Sequence, residues 1–153
     1  MMLPATNRRA ENHTSEEINR EIARQTQQRI AYYTTKSPQE ISERIRELDY
    51  EWDIERALES NASALAFSGI VLAATVNKKW LILPGLVTGF LFQHALQGWC
   101  PPLPILRRLG FRTAAEINEE RYALKALRGD FERIISRDGV YGDHHAAFAA
   151  AQQ

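Results

Sequence analysis

Charged residues are missing from the centre of this sequence, and this gap constrains the fold more than any other feature. No Asp, Glu, Lys or Arg occurs between Glu59 and Lys78, and none occurs between Lys79 and Arg107. A helix that faces water on one side normally carries a polar face, and neither stretch has one. The overall fraction of charged residues is an ordinary 25%, so polar arms must flank an apolar centre.

The two uncharged stretches are long enough to be membrane-spanning helices. They cover about residues 60–76 and 80–99, and about 20 residues are needed to cross a bilayer. Trp80 and Trp99 stand at the two ends of the second stretch, and tryptophan is enriched at membrane interfaces. We predict a two-helix transmembrane hairpin within residues 60–110. The alternative is a soluble bundle that buries both helices, but a chain of 153 residues has little other protein to cover them.

The flanking segments are predicted to be helical arms, which makes the chain all-α. Residues 1–13 are short of large apolar side chains and are predicted to be disordered. Residues 14–59 are predicted to form a polar and then amphipathic arm, in which the helix restarts at Ser37 and Pro38 and then runs without a breaker into the apolar centre. Residues 111–137 are predicted to form an amphipathic C-terminal helix, and residues 138–153 a flexible tail. Three capping boxes, each a Ser or Thr followed three residues later by Glu, indicate helix starts: Thr14 and Glu17, Ser37 and Glu40, and Thr113 and Glu116.

Small residues mark the faces through which the two central helices are predicted to pack. Such faces let helix backbones approach closely in lipid. They comprise Ala62, Ala66, Gly69 and Ala73 on the first helix, and Gly85 and Gly89, a GxxxG pair, on the second. Gln93 and Gln97 extend the second face, and an amide that faced lipid would lack a hydrogen-bond partner. We therefore predict that the hairpin packs on itself, on a second copy as a homodimer, or on an unidentified membrane or cytoplasmic protein.

The distribution of basic residues predicts how the hairpin is oriented. The turn contains Lys78 and Lys79, while the outer ends of the hairpin carry more basic residues, namely Arg56, Arg107, Arg108 and Arg112. Because basic residues favour the cytoplasmic side of a membrane, both termini are predicted to be cytoplasmic. The expected anchors at the interface with the lipid bilayer are Trp80, Trp99, Arg107 and Arg108.

The central segment resembles the YgaP-like transmembrane domain family, small bacterial inner-membrane modules of unknown function. The residues that carry the resemblance, over about residues 60–110, are Thr75-Val76-Asn77, Trp80, Gly85, Gly89 and Gln97-Gly98-Trp99-Cys100-Pro101. The resemblance implies a two-helix hairpin with cytoplasmic termini that often self-associates. Some members carry a rhodanese domain, which handles sulfane sulfur on a cysteine. This sequence shows no such domain and no second cysteine, so sulfurtransferase activity is not carried over.

Cys100 and His94 are the candidate functional residues of the centre. Cys100 is the one cysteine of the sequence, and the nearby Arg107 and Arg108 would favour its thiolate form. His94 is a titratable residue within a predicted membrane helix, which marks it as a candidate. Both residues also have a structural interpretation. Cys100 would be a small apolar residue before a proline turn, and His94 a hydrogen-bond partner of Gln97 or of the first helix.

No catalytic, cofactor-binding or metal-binding site is predicted, and nothing in the sequence demands an enzyme. The adjacent His144 and His145 lack the spacing that presents two metal ligands from one helix face. A net charge of +0 without a basic patch gives no case for nucleic-acid binding. We therefore expect a membrane scaffold or assembly module that self-associates. The alternatives are a module that handles sulfur or small anions through Cys100 and His94, and a protein that dips into the membrane without spanning it.

Overall fold

The computed structural model describes residues 5, 7–132, 145, 147 and 148. The described part of the chain is helical and contains no strand, so the predicted all-α class is confirmed. The helices are α1 (Arg9–Asn12), α2 (Glu16–Tyr33), α3 (Pro38–Tyr50), α4 (Ile54–Thr75), α5 (Ile82–Gln97), α6 (Leu103–Arg108) and α7 (Ala114–Arg128), with a 3₁₀ turn (Lys78–Leu81) between α4 and α5. The C-terminal helix predicted over 111–137 is shorter in the structure, because α7 ends at Arg128 and Gly129 takes a left-handed conformation with φ of 89°. Residues 133–137 and most of the predicted tail over 138–153 lie outside the described residues.

The chain divides into two compact units. The first combines Met1–Arg24 with Trp52–Ile117, and the second combines Gln25–Glu51 with Asn118–Gln153. The first unit contains α1, α4, α5 and α6, together with the start of α2 and the first turn of α7. It therefore holds all the candidate residues of the apolar centre.

In the first unit, α4 and α5 form an antiparallel pair. Near one end of the pair, Glu55 of α4 contacts His94 of α5. Toward the other end, Gly69 of α4 lies against Pro84 and Leu83 of α5. The sequence order of the contacts is reversed between the two helices, which is the arrangement expected when two helices are joined by a short turn.

The second helix of this pair is shorter than predicted. Instead of one helix over residues 80–99, α5 begins only at Ile82, after the 3₁₀ turn, and ends at Gln97. Asn77 caps that turn by accepting a hydrogen bond from the Lys79 N–H at 2.9 Å, and Gly98 ends α5 in a left-handed conformation with φ of 85°. At about 1.5 Å per residue, the 16 residues of α5 fall short of the roughly 30 Å apolar core of a bilayer.

One helical stretch in the described part of the chain, within Pro38–Thr75, is long and apolar enough to cross a membrane by length and composition. The expectation that the amphipathic arm continues unbroken into it is wrong. Residues 51–53 are not helical, because Asp53 turns its carboxylate to the Arg56 backbone N–H at 2.7 Å and starts α4 as a new helix. The apolar part of the stretch is therefore the 22-residue α4.

The prediction of disorder over residues 1–13 is wrong for Arg9–Asn12. They form α1, and its Ala10 is buried in a small core with Ile54, Leu58, Cys100 and Leu103. Sequence composition missed this helix because one small apolar side chain is enough to fix a single turn against a larger core.

Two of the three predicted capping boxes are formed. Ser37 and Glu40 exchange hydrogen bonds at the start of α3, and Thr113 and Glu116 do so at the start of α7. The third predicted box, Thr14 and Glu17, does not start a helix at Thr14. The Thr14 hydroxyl donates instead to the carbonyl oxygen of Ala10 at 2.7 Å, and α2 begins at Glu16.

The second unit is organised around a buried carboxylate. Glu120, with 0% of its surface exposed, accepts hydrogen bonds from Arg29 at 3.0 Å and from Arg44 at 2.9 Å. These bonds join the unit's portions of α2, α3 and α7, since each helix contributes one of the three side chains. Paired in this way, the buried charge costs far less than it would alone.

Candidate functional site

The small face of α4 is used inside the chain, against α5. A methyl group built on Gly69 would lie 2.5 Å from Pro84 Cδ, closer than carbon atoms can approach, and 3.2 Å from Leu83 Cβ, a tight contact. Ala62, Ala66 and Ala73 are partly buried on the same helix. At Gly69, the first predicted packing face therefore contacts the other helix of the same hairpin.

The small face of α5 lies open. A methyl group on Gly85 or on Gly89 would meet nothing within 4 Å, and both residues are exposed. Gln93 is partly buried and Gln97 exposed. The two small faces, which look alike in the sequence, thus differ in the structure: one has its partner and the other presents backbone to the surroundings.

His94 is buried at the end of the helix pair and is paired with a residue that the sequence reasoning did not single out. Its Nε2 lies 2.7 Å from Glu55 Oε2, and only 3% of the residue is exposed. Arg9 binds the other carboxylate oxygen of Glu55 at 3.2 Å and donates to the Ala95 carbonyl oxygen. The expected structural pairing of His94 with the first helix is formed, and the partner is Glu55 rather than Gln97.

The other ring nitrogen of His94, Nδ1, is buried and has no hydrogen-bond partner. Because an ionised carboxylate can only accept, Nε2 carries the hydrogen of the bond to Glu55. Nδ1 is then free either to accept or, if the ring is protonated, to donate. A buried polar atom without a partner is uncommon and calls for an explanation.

Cys100 lies beside His94 at one cavity. The thiol is within electrostatic range of the imidazole, although the geometry of a hydrogen bond between them is not met. Cys100 is 4% exposed and belongs to the apolar core. It therefore fills the structural role expected of a small residue before a proline turn, and at the same time places its sulfur at a cavity wall.

The cavity has a volume of about 470 Å³ and is walled almost entirely by apolar side chains of α4, α5, α6 and the turn before α6. Its floor contains His94, Cys100 and Leu58, which are buried. Its mouth is formed by exposed side chains, among them Leu65, Phe90 and Ile105. A small molecule that entered would pass between apolar side chains and meet a thiol and an imidazole at the bottom.

The four predicted interface anchors are not equivalent. Trp80 and Arg108 are exposed, and Trp99 is partly buried. The prediction for Arg107 is wrong, because its guanidinium is 0% exposed and forms a bidentate pair with Glu116 at 2.6 and 2.7 Å. Its remaining donors bind the Thr14 hydroxyl, the Asn19 side chain and the Phe111 carbonyl oxygen, so it has no donor left for a lipid phosphate.

Sequence reasoning missed Glu55 and Arg9. A signal for Glu55 was present, since it is an acidic residue in the first turn of a helix that has no charged residue after Glu59, and such a residue is either at the water boundary or paired. No sequence signal identified Arg9, whose partner is 46 residues away. In the described part of the chain no group of three or more His, Cys, Asp and Glu side chains could hold a metal ion; His144 lies outside the described residues.

The residues that carry the resemblance to the YgaP-like family stand at identifiable places in this site. Trp80 lies in the 3₁₀ turn, Gly85 and Gly89 on the open face of α5, and Cys100 at the cavity floor. Comparison with known proteins adds no test of that resemblance, which stays a prediction. No family model, curated protein or solved structure matches this chain.

Proposed function

We propose that this chain is a small integral protein of a bacterial inner membrane. The hairpin of α4 and α5 crosses the bilayer with both termini cytoplasmic. The protein acts as a scaffold or assembly module without enzymatic activity, and it self-associates through the open face of α5. Its arms are available to membrane or cytoplasmic partners.

The observation that carries this proposal is the apolar surface of the hairpin. Large hydrophobic side chains cover the outside of both helices, and the most exposed are Ile82 at 69%, Phe67 at 68% and Phe92 at 67%. Soluble proteins rarely leave so continuous an apolar surface in water. In the hydrocarbon of a lipid bilayer, exposure of this apolar surface carries no hydrophobic free-energy cost.

The lengths of the elements also support a spanning hairpin once the 3₁₀ turn is included. With a rise of about 2.0 Å per residue in such a turn and about 1.5 Å in α5, the segment from Trp80 to Gln97 reaches roughly 28 Å, close to the thickness of the hydrocarbon core. Lys78 and Lys79 would then lie in the head groups on one side.

The test is alkaline carbonate extraction combined with cysteine labelling from each side of the membrane. Because Cys100 is buried, labelling uses two variants that carry one exposed thiol each: C100S/V76C at the hairpin turn and C100S/L109C after α6. We expect both variants in the membrane pellet. A membrane-impermeant maleimide should label the position-76 thiol from outside intact spheroplasts and the position-109 thiol only after lysis. Release into the supernatant, or labelling of both thiols from the same side, contradicts the spanning hairpin.

A second candidate function is a membrane module that handles sulfur or small anions through Cys100 and His94. The observation in its favour is that the two side chains meet at one cavity, with His94 Nδ1 unpartnered. The two functions separate in a C100S strain. A scaffold keeps its assembly and its cellular phenotype after this nearly isosteric change, whereas a thiol-dependent module loses its activity while still inserting in the membrane.

A further inference from the structure

The cavity between α4, α5 and α6 combines two properties that rarely occur together. Its walls are apolar, with Leu65, Phe90 and Ile105 at an exposed mouth. Its floor holds a cysteine next to a histidine that is itself bound to a carboxylate. A nucleophile, a base within reach of it, and a third group that orients the base are the parts of an activated thiol.

Each member of this set is held by different parts of the fold. Glu55 comes from the first turn of α4, His94 from the last turn of α5, and Cys100 from the segment that follows Gly98. The bond at 2.7 Å between Glu55 Oε2 and His94 Nε2 fixes the ring so that Nδ1 is the nitrogen left for the thiol. The volume of about 470 Å³ is in the range of small-molecule sites.

We propose that this cavity binds the chain of a fatty acyl thioester and that the Cys100 sulfur accepts the acyl group. The inference rests on the second proposed function, that Cys100 and His94 form one reactive site, and it names the substrate class. The apolar walls select that class, because a small hydrated anion would lose its water there without gaining hydrogen bonds, whereas an acyl chain gains by burial.

The reaction is a thioester exchange. The Cys100 thiol gives its proton to His94 Nδ1, and the thiolate adds to the carbonyl carbon of the thioester. The carbon–sulfur bond to the donor then breaks, and the leaving thiolate takes the proton from His94. One carbon–sulfur bond forms and one breaks, so no oxidant or reductant is required.

The experiment uses the full chain purified in detergent micelles, mixed with palmitoyl-coenzyme A or acetyl-coenzyme A, and followed by intact-mass spectrometry. We expect one acyl group per chain, removed by neutral hydroxylamine, and none on C100S. The matched control is C100S/L109C, which moves the thiol to an exposed position. For each thiol we compare the rate of palmitoylation with the rate of acetylation. This ratio should be at least about tenfold higher for Cys100 than for the position-109 thiol, because only the cavity buries the added methylene groups.

Two further variants separate the base from the cavity. His94→Gln keeps an amide for Glu55 but removes the base, so acylation of Cys100 should slow about 100-fold, while the same change in the C100S/L109C background should leave the rate unchanged. Leu65→Trp narrows the mouth and leaves the floor intact. It should slow palmitoylation but not the reaction of Cys100 with methyl methanethiosulfonate, a small neutral thiol reagent, which also reports that this variant is folded.

The outcomes distinguish the two levels of the proposal. A His94-dependent reaction with methyl methanethiosulfonate, but palmitoylation no faster than at position 109, overturns the acyl substrate and leaves the reactive site standing. If His94→Gln changes neither the rate of palmitoylation nor the rate of reaction with methyl methanethiosulfonate, both the acyl substrate and the reactive site are overturned. A chain-length preference found at Cys100 alone, together with slower acylation in His94→Gln and loss of the preference in Leu65→Trp, establishes the acyl site.

Discussion

Glu55 and His94 are 39 residues apart in the sequence, yet Glu55 Oε2 and His94 Nε2 are 2.7 Å apart, which closes the open end of the α4–α5 pair. The opposite end is closed covalently by the 3₁₀ turn. Arg9 shares the same carboxylate at 3.2 Å and so attaches α1 to this end. The pair thus stabilises the hairpin and positions the imidazole beside Cys100.

Removing the charge of Glu55 should loosen this end of the hairpin. Glu55→Gln keeps the side-chain shape but leaves the buried His94 and Arg9 without an ionised acceptor, so the free energy of unfolding should fall by about 1–3 kcal/mol. Denaturant titration in micelles measures it. The matched control is Glu59→Gln, an exposed glutamate one turn further along α4, which should change stability by less than about 0.5 kcal/mol. Equal effects from the two variants would contradict the role of the Glu55–His94 pair.

Adding one methyl group should distinguish the two small faces. Gly69→Ala forces a Cβ to within 2.5 Å of Pro84 Cδ, and such overpacking costs about 1–3 kcal/mol. Gly85→Ala adds the same atom where nothing lies within 4 Å, so the monomer should be unaffected or slightly stabilised by the better helix propensity of alanine. Unfolding midpoints of the two variants test the assignment, and a reversed order would refute it.

Features that depend on neighbouring residues could be read from the sequence. The boxes Ser37–Glu40 and Thr113–Glu116 formed as predicted because both partners lie within one turn and need no help from the rest of the chain. The third box failed at Thr14, where a carbonyl oxygen of α1, a helix that composition had not indicated, accepts from the hydroxyl instead.

Features that depend on distant partners could not be read in the same way. The sequence marks Gly69 and Gly85 as equivalent, and only the position of Pro84 decides that one is covered and the other open. Arg107 resembles a membrane anchor when it is seen beside Arg108, but Glu116 and Asn19 bury it. Periodicity identifies a face of a helix and does not say what covers it.

Arg107 should be among the most sensitive positions of the first unit. Arg107→Met leaves the Glu116 carboxylate without its bidentate partner in a buried setting, which costs about 3–5 kcal/mol. Arg108→Met changes the next, exposed residue and should be nearly silent. The double variant Arg107→Met/Glu116→Met removes both charges and should recover much of the loss, because a buried pair replaced by apolar residues is often neutral. The free energies of unfolding of the three variants test this prediction. An Arg107→Met variant as stable as the unsubstituted protein would contradict a stabilising role of the Arg107–Glu116 pair.

The same pair predicts how stability depends on pH. Burial alone would raise the pKa of Glu116, but the hydrogen bonds from Arg107 and from the Thr113 N–H outweigh it and hold the pKa below its usual value. A lowered folded-state pKa contributes stability that is present above the unfolded value, about 4.3 for glutamate, and is lost as pH falls through the folded pKa. The melting temperature should therefore fall as the pH is lowered below about 4.3. The fall in melting temperature should be smaller in Glu116→Gln. Parallel curves for the two proteins would exclude Glu116 as a source of the acid sensitivity.

The open GxxxG face of α5 gives the last prediction, on self-association. Gly85 and Gly89 lie on the side of α5 that does not contact α4, so leucines placed there would keep a second helix at a distance without disturbing the hairpin. Gly85→Leu/Gly89→Leu should convert a dimer to a monomer in micelles, measured by crosslinking and by sedimentation, with unchanged helix content. Thr88→Leu adds similar bulk at an exposed position of the same helix and should stay dimeric. If the double-leucine variant remains a dimer, the copies associate through another surface, and the scaffold proposal must place its interface on the arms.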